Sequence, residues 1–283
     1  RTMGNLRDQT VIEVGPGPGA LTQSLLGRQA KRVIVIEKDR RFLPVLEQLR
    51  DVVGKDRLHI VIGDVLEVSE ADLLAEAGIE KADWSAPTGP YTRGTSSSHT
   101  AHTAGCGVQF VGNLPFNIST EILLKWMRMA SAQSGAFAWG RIPMTLMFQK
   151  EVAERIIAKN ATSDFSRLSV MTQHCSDARI LFNLPGSVFV PPPEVTASVV
   201  QIVPRIERAD VCVDDLEYVC TQVFRYKRKI LNNCIGNLDI GDMTPEEFAV
   251  KAGLTDQLSR RAEELSLKDW CTMTRAYTAL HEK

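Results

Sequence analysis

No run of apolar residues in this chain is long enough to span a bilayer, so no membrane partner is expected. There is no excess of basic charge either: 33 Lys and Arg stand against 34 Asp and Glu, a net charge of −1. A chain whose whole surface grips nucleic acid is thereby excluded, and any RNA partner must be met by basic residues gathered in one place. The six cysteines contain no Cys-x-x-Cys pair, which reads as incidental thiols in a reducing compartment. The one spacing suggestive of a metal, His99, His102 and Cys106, lacks an obvious fourth ligand and sits among Ser, Thr, Gly and Ala; no metal is expected. There is no internal repeat and no initiator Met. A start at Arg1, with the first strand about ten residues on, reads as a processed or trimmed N-terminus, and any targeting peptide would be invisible.

What is present is an ordinary globular composition, 44% hydrophobic and 24% charged, over 283 residues, enough for one large domain and a smaller one. Apolar β-branched runs at 10–14, 32–37, 58–63, 108–112 and 144–148 alternate with helical patterns at 20–28, 40–52, 120–130 and 151–159, the signature of a parallel sheet covered by helices. Two later strands, 178–182 and 198–203, are separated by too little sequence for a helical crossover. They are expected as an antiparallel pair at one sheet edge. The stretch 84–107 is poor in apolar side chains and reads as a mobile insertion. After Pro204 strand signals stop, and 214–236, 244–252 and 266–281 read as helices, with Thr244-Pro245-Glu246-Glu247 a good helix start. The expected domains are therefore 1–204 and 205–283.

Three strand ends carry the candidate cofactor residues. Glu13-Val14-Gly15-Pro16-Gly17-Pro18-Gly19 follows the first strand, and glycines there let backbone N–H groups approach a nucleotide. Glu37 ends the second strand, where a carboxylate can accept both ribose hydroxyls, and Asp64 follows the third, where it can receive the amine of an adenine. Glu37 or Asp64 taken singly could equally be a solvated strand-end acid. Acids around one crevice suit a cofactor with a cationic sulfonium and no phosphate, S-adenosyl-L-methionine, better than a diphosphate dinucleotide. The fourth strand ends in Asn113-Leu114-Pro115-Phe116. These residues offer a side-chain amide, carbonyls fixed by a proline, and an aromatic ring, suited to a planar base bearing an exocyclic amine; a plain turn before a helix would read similarly.

At these residues the chain resembles the rRNA adenine N6-dimethyltransferases. The stretches 113–126, 147–155, 166–169 and 189–200 carry the resemblance, which runs from about Val11 to Pro204 and more weakly beyond. It implies an α/β fold of the Rossmann-like class I methyltransferase type, a seven-stranded sheet with a small C-terminal α-helical domain. It also implies a cofactor site of Glu13, Gly15, Gly17, Glu37, Lys38, Asp64, Val65 and Asn113, and a target-base site of Asn113, Leu114, Pro115 and Phe116. Phe189, from the Pro-rich loop, would lie over the opposite face of the base, although a packing aromatic reads almost as well. The family's N-terminal Gln-Asn-Phe-Leu segment has no counterpart before Thr10, and weak cofactor binding is the expectation that follows.

Arg225, Lys227, Arg228 and Lys229, interleaved with Phe224 and Tyr226, form the basic cluster that an RNA backbone requires, and they resemble the family's Phe-x-x-Arg-Arg-Lys element. A solvated helix face is the bland alternative. The function implied is N6,N6-dimethylation of two adjacent adenosines in the small-subunit rRNA of the mitochondrial ribosome. The implied setting is a monomer in the mitochondrial matrix, acting on the assembling small subunit, with the mitochondrial transcription machinery as a further partner. The Gly-Pro-Gly-Pro-Gly turn, the insertion before Asn113 and the stretch around Gly140-Arg141 and Met144-Thr145-Leu146 favour the mitochondrial branch. Two other classes stand beside this one: a non-catalytic transcription or ribosome-assembly factor on the same fold, and a nicotinamide enzyme, which would share the glycines and Glu37 but leave Asn113–Phe116 unexplained.

Overall fold

The computed structural model describes residues 6–86, 106–189 and 195–282. Most of the expected insertion, 87–105, with His99 and His102, lies outside these residues. The chain forms two compact units, one of residues 1–153 and 177–206, the other of residues 154–176 and 207–283. The expected break after residue 204 therefore falls two residues early, and it misses the segment 154–176, which belongs with the C-terminal helices.

The first unit is built on a seven-stranded sheet: β1 (Thr10–Val14), β2 (Arg32–Glu37), β3 (Leu58–Ile62), β4 (Val108–Asn113), β5 (Met144–Gln149), β6 (Ser176–Leu184) and β7 (Ala197–Pro204). Their spatial order is β3-β2-β1-β4-β5-β7-β6. The first five pair in parallel, and β7 runs antiparallel to β5. Arg179 of β6 bonds Gln201, and Ser198 bonds Asn183, so the residue numbers run in opposite senses along this last pair, as the short connection requires. Between the strands lie α1 (Ala20–Gly27), α2 (Leu43–Val53), α3 (Glu70–Glu76) and α4 (Ser119–Ala132).

Why these runs are strands follows from their burial. All five residues of β1 are buried, as expected for a central strand with helices on both faces. Alternation divides them: Val11, Val33, Val35, Leu58 and Val111 pack with Leu25, Leu26 and Leu46 of α1 and α2. Phe110, one residue out of phase with Val111, instead stacks on Trp126 of α4 at 4.4 Å and approaches Phe137 at 5.9 Å.

The second unit contains the end of α5 (Lys150–Ile157), then α6 (Arg167–Cys175), α7 (Val213–Phe224), α8 (Leu231–Ile235), α9 (Pro245–Ala252) and α10 (Leu267–His281). Its centre stacks Phe224 on Trp270 at 4.8 Å. Thr244 caps α9 in a reciprocal bond with Glu247, as its sequence signalled. One expectation is corrected: 214–236 is not a single helix. α7 ends at Phe224, residues 225–229 form a turn, and Ile230 makes an isolated antiparallel bridge to Arg261 before α8 begins. None of the six cysteines forms a disulfide. Among the described residues no helix is long and apolar enough to cross a membrane.

Ile12 is wholly buried on the central strand. Ile12→Ala should cost about 2–5 kcal/mol through lost burial and an unfilled cavity. Denaturant unfolding followed in both units checks this, and a loss under about 1 kcal/mol would mean that the site collapses around the gap.

Candidate active site

The order of the strands places the site. From β1 the chain steps to β2 on one side and, after β3, to β4 on the other, so a crevice opens beyond the carboxyl ends of β1 and β4. Val14 is paired with Gly112. A side chain at Gly112 would bring its Cβ to 3.0 Å from the Val14 carbonyl, so glycine here permits the close approach. The residues that follow, Gly15 and Asn113, therefore lie side by side: a Cβ at Gly15 would sit 3.6 Å from the Asn113 carbonyl oxygen and 3.7 Å from Pro115 Cδ.

Gly15, Gly17 and Gly19 all have positive φ (67°, 54° and 86°), a backbone path closed to most side chains. Gly15 N–H donates to the Ile36 carbonyl at 3.0 Å, and Gly17 N–H to Glu37 Oε2 at 3.0 Å. The other Glu37 oxygen accepts from Asp39 N–H at 2.8 Å. Glu37 thus ties the glycine turn to the end of β2. Each of its oxygens retains a lone pair, which is what two ribose hydroxyls need.

Glu13 has a different place from the one its position in the motif suggests. It is 1% exposed, and its Oε2 accepts from the Thr22 hydroxyl at 2.7 Å, joining β1 to α1 beneath the turn. Burial, opposed by that hydrogen bond and assisted by repulsion from Glu37, pushes its carboxyl up to about 7. Asp64 behaves oppositely. Its Oδ2 takes Lys38 Nζ at 2.6 Å and its Oδ1 takes Leu66 N–H at 3.0 Å, and these bonds hold its carboxyl below the ordinary value. Lys38 is correspondingly raised by its bond to Asp64. Val65 is buried, and its carbonyl accepts from Lys125.

In the target motif, Asn113 is exposed, Leu114 is buried, Pro115 is exposed and Phe116 is half-buried. Ile118 N–H bonds the Pro115 carbonyl at 3.1 Å and Ser119 Oγ bonds that of Phe116 at 3.2 Å, which fixes the turn into α4. Phe189 follows the short helical turn Gly186–Val188 between β6 and β7, and its N–H bonds the Gly186 carbonyl. Residues 190–194 of its loop lie outside the described residues. Because Gln149 pairs with Ala197 while Asn113 pairs with Met147, the β6–β7 connection rises from the same sheet edge as Asn113.

The basic cluster is reassigned by the structure. Arg225, Arg228 and Lys229 are exposed in the turn after α7, so they are not the face of a helix. Lys227 is different: its ammonium donates to the Ser163 carbonyl and lies 3.7 Å from Glu263, all within the second unit. Two features escaped sequence reasoning altogether, the Thr22 bond of Glu13 and a buried pair of Lys125 with Glu70. A signal for the latter was the Lys125-Trp126 step beside the apolar face of α4.

A cleft of about 200 Å³ lined by Arg32, Lys55, His59 and Glu76 belongs to the opposite end of the sheet, at the starts of β2 and β3. It takes no part in this crevice. Among the described residues no group of three or more His, Cys, Asp and Glu could hold a metal.

A doubly wound sheet with an antiparallel final strand, and a glycine turn beside two strand-end acids, define a Rossmann-like methyltransferase. The family description "Ribosomal RNA adenine dimethylase" matches residues 4–278. Over the whole chain the sequence is 40% identical to "Dimethyladenosine transferase 1, mitochondrial" of Vermamoeba vermiformis, covering 86% of that protein. It is 36% identical to "Ribosomal RNA small subunit methyltransferase A" of Rhizobium johnstonii over 96% of this chain and 84% of that one. The fold matches a dimethyladenosine transferase from Plasmodium falciparum with a TM-score of 0.69 at 19% identity, covering 98% of this chain and 92% of that one. The chain belongs to the ribosomal RNA adenine dimethylase family, enzymes that dimethylate adenine in rRNA.

The Glu13 carboxyl gives a pH prediction. Its folded-state value, about 7, lies above the ordinary 4.5 of an unfolded chain, so the folded state holds the proton more tightly. Ionising it costs stability that is fully felt above pH 7 and relieved as pH falls through 7 towards 4.5. Glu13→Gln keeps an acceptor for Thr22 and has no charge to bury. It should therefore gain on the wild type between pH 5 and pH 8, by on the order of 3 kcal/mol for a shift of this size. Parallel unfolding curves at the two pH values would contradict this.

Proposed function

We propose that this chain transfers methyl groups from S-adenosyl-L-methionine to N6 of adenosine, two to each of two adjacent adenosines in the small-subunit rRNA of the mitochondrial ribosome. The work would be done in the matrix, in support of small-subunit assembly. The observation that carries the reading is the exposed Asn113 at the end of β4, beside the Gly15–Gly19 turn at the end of β1. The mitochondrial and small-subunit names of the two relatives support the compartment and the RNA.

The donors and acceptors of the crevice fit this cofactor. Gly17 leaves open space where a Cβ would stand, and Glu37 has lone pairs for the ribose. Asp64 and Val65 stand at the next strand end for the adenine, and Lys38 holds the Asp64 carboxylate in one orientation. Bound there, S-adenosyl-L-methionine would supply an electrophilic methyl on a sulfonium. Adenine N6 is a poor nucleophile because its lone pair is delocalised into the ring. In the first transfer the Asn113 amide oxygen and the Leu114 carbonyl accept its two N–H bonds, favour a pyramidal nitrogen and stabilise the charge that develops on it until one N6 proton is lost to solvent. In the second transfer a single N–H remains to be held and lost in the same way. Pro115 fixes those carbonyls. Phe116 stacks on the extruded base and Phe189 covers its other face.

The test is methyl transfer from labelled S-adenosyl-L-methionine to small-subunit rRNA lacking the modification, followed by nucleoside analysis. The wild type should yield N6,N6-dimethyladenosine. Asn113→Ala should lower single-turnover transfer by about 10²–10³-fold, the usual loss for one aligned transition-state partner, with the melting temperature unchanged. Wild-type turnover in Asn113→Ala would remove that residue from the reaction.

RNA is held, in this reading, by Arg225, Arg228 and Lys229, whereas Lys227 serves the packing of its own unit. Alanine at the first three should weaken RNA binding and reduce its log–log salt slope by about 2–3, at roughly 0.7–0.9 per phosphate contact. Lys227→Ala should lower the melting temperature and leave the slope alone. A triple variant with the wild-type slope would move the RNA surface elsewhere.

A further inference from the structure

Lys125 lies in the second turn of α4, the helix that leaves the target motif, and its side chain is 14% exposed. Its ammonium has four close contacts, all away from solvent: the carbonyls of Val65 (2.6 Å) and Val68 (3.1 Å) and both oxygens of Glu70 (3.0 and 3.1 Å). Glu70, the first residue of α3, is wholly buried and also accepts from Trp126 Nε1 at 2.9 Å. Trp126 in turn stacks on Phe110 of β4, three residues before Asn113.

The object of this grip is the turn 64–68. Within it, Leu66, Glu67 and Val68 N–H groups all bond Asp64, and the turn folds back so tightly that a Cβ on Gly63 would lie 2.8 Å from Val68 Cγ2. Lys125 pulls in two carbonyls of that turn from a different helix. A buried ion pair is a poor stabiliser, since an apolar pair of similar volume is commonly as stable. What the charges supply that apolar groups would not is direction: three N–H donors that fix two specified carbonyls and a carboxylate at once.

We propose that Lys125 and Glu70 are positioning residues for the cofactor, a buried clamp that holds the turn carrying Asp64 and Val65 in register with the helix that follows Asn113–Phe116. The proposal rests on the reading that S-adenosyl-L-methionine lies against Asp64 and Val65. The clamp acts on the cofactor's adenine end, so its loss should appear in cofactor affinity more than in the rate at saturation.

The experiment is calorimetry with S-adenosyl-L-methionine on the double variant Lys125→Met with Glu70→Gln, which removes both charges and keeps an acceptor for Trp126. We expect a melting temperature near that of the wild type and cofactor affinity about tenfold weaker, the size of one charge-assisted hydrogen bond. At saturating cofactor the turnover number should stay within about threefold of the wild type, so the defect sits in KM. A folded double variant with wild-type affinity overturns the proposal. If the double variant does not fold, Lys125→Arg decides: weaker cofactor binding at an unchanged melting temperature supports the clamp. Wild-type affinity, or a loss of melting temperature alone, overturns it. Asp64→Ala, measured alongside, separates the two readings. Unchanged affinity in Asp64→Ala would fail the cofactor placement itself, whatever Lys125 does.

Discussion

The parallel pairing of β1 with β4, closed by Gly112 against the Val14 carbonyl, is the constraint on which the site depends. Both strands end at the same edge of the sheet, so the glycine turn and the Asn-Leu-Pro-Phe motif become neighbours although about a hundred residues separate them in the chain. Proximity here needs no dedicated contact between the two motifs. It follows from strand register, which the buried β-branched faces of β1, β2 and β4 hold against slippage.

Three carboxylates at one crevice would repel one another if all were alike, and the structure makes them unlike. Glu13 is buried beneath the turn, where it gives up its proton only near neutrality. Glu37 is bound by two backbone N–H groups. Asp64 is neutralised by Lys38 and stays ionised. Glu37 and Asp64 are each already fixed in orientation by hydrogen bonds within the chain, which would lower the ordering cost of binding a ligand there.

Much of this was legible in the sequence because it is local. The first five strands show as apolar runs alternating with helical patterns and the last two as a closely spaced pair, and the cap at Thr244 and the positive-φ glycines of the turn are written in a few adjacent residues. What was not legible depends on distant partners. The run 214–236 keeps a helical composition, yet Lys227 finds Ser163, sixty-four residues away, and Ile230 bridges to Arg261, so the helix stops at Phe224. Helix α6 begins at Arg167 behind a capping pair of Ser166 and Ser169 with no acidic partner to announce it. Lys125 and Glu70 are fifty-five residues apart, and no periodicity relates them. The same holds for the division into units: the sequence from 154 to 176 looks continuous with the sheet domain, but it falls in the unit of the C-terminal helices, where Phe165 approaches Phe224 of α7 at 6.3 Å.

Whether one crevice between β1 and β4 holds the cofactor next to the target motif can be decided by ultraviolet crosslinking of methyl-labelled S-adenosyl-L-methionine to the wild-type chain and mapping of the labelled peptides. Label should fall in the peptides containing Gly15–Gly19 and Asn113–Phe116, competed away by unlabelled cofactor and not by NAD. Competable label confined to other peptides, such as those around Arg32 and His59 at the far end of the sheet, would contradict it.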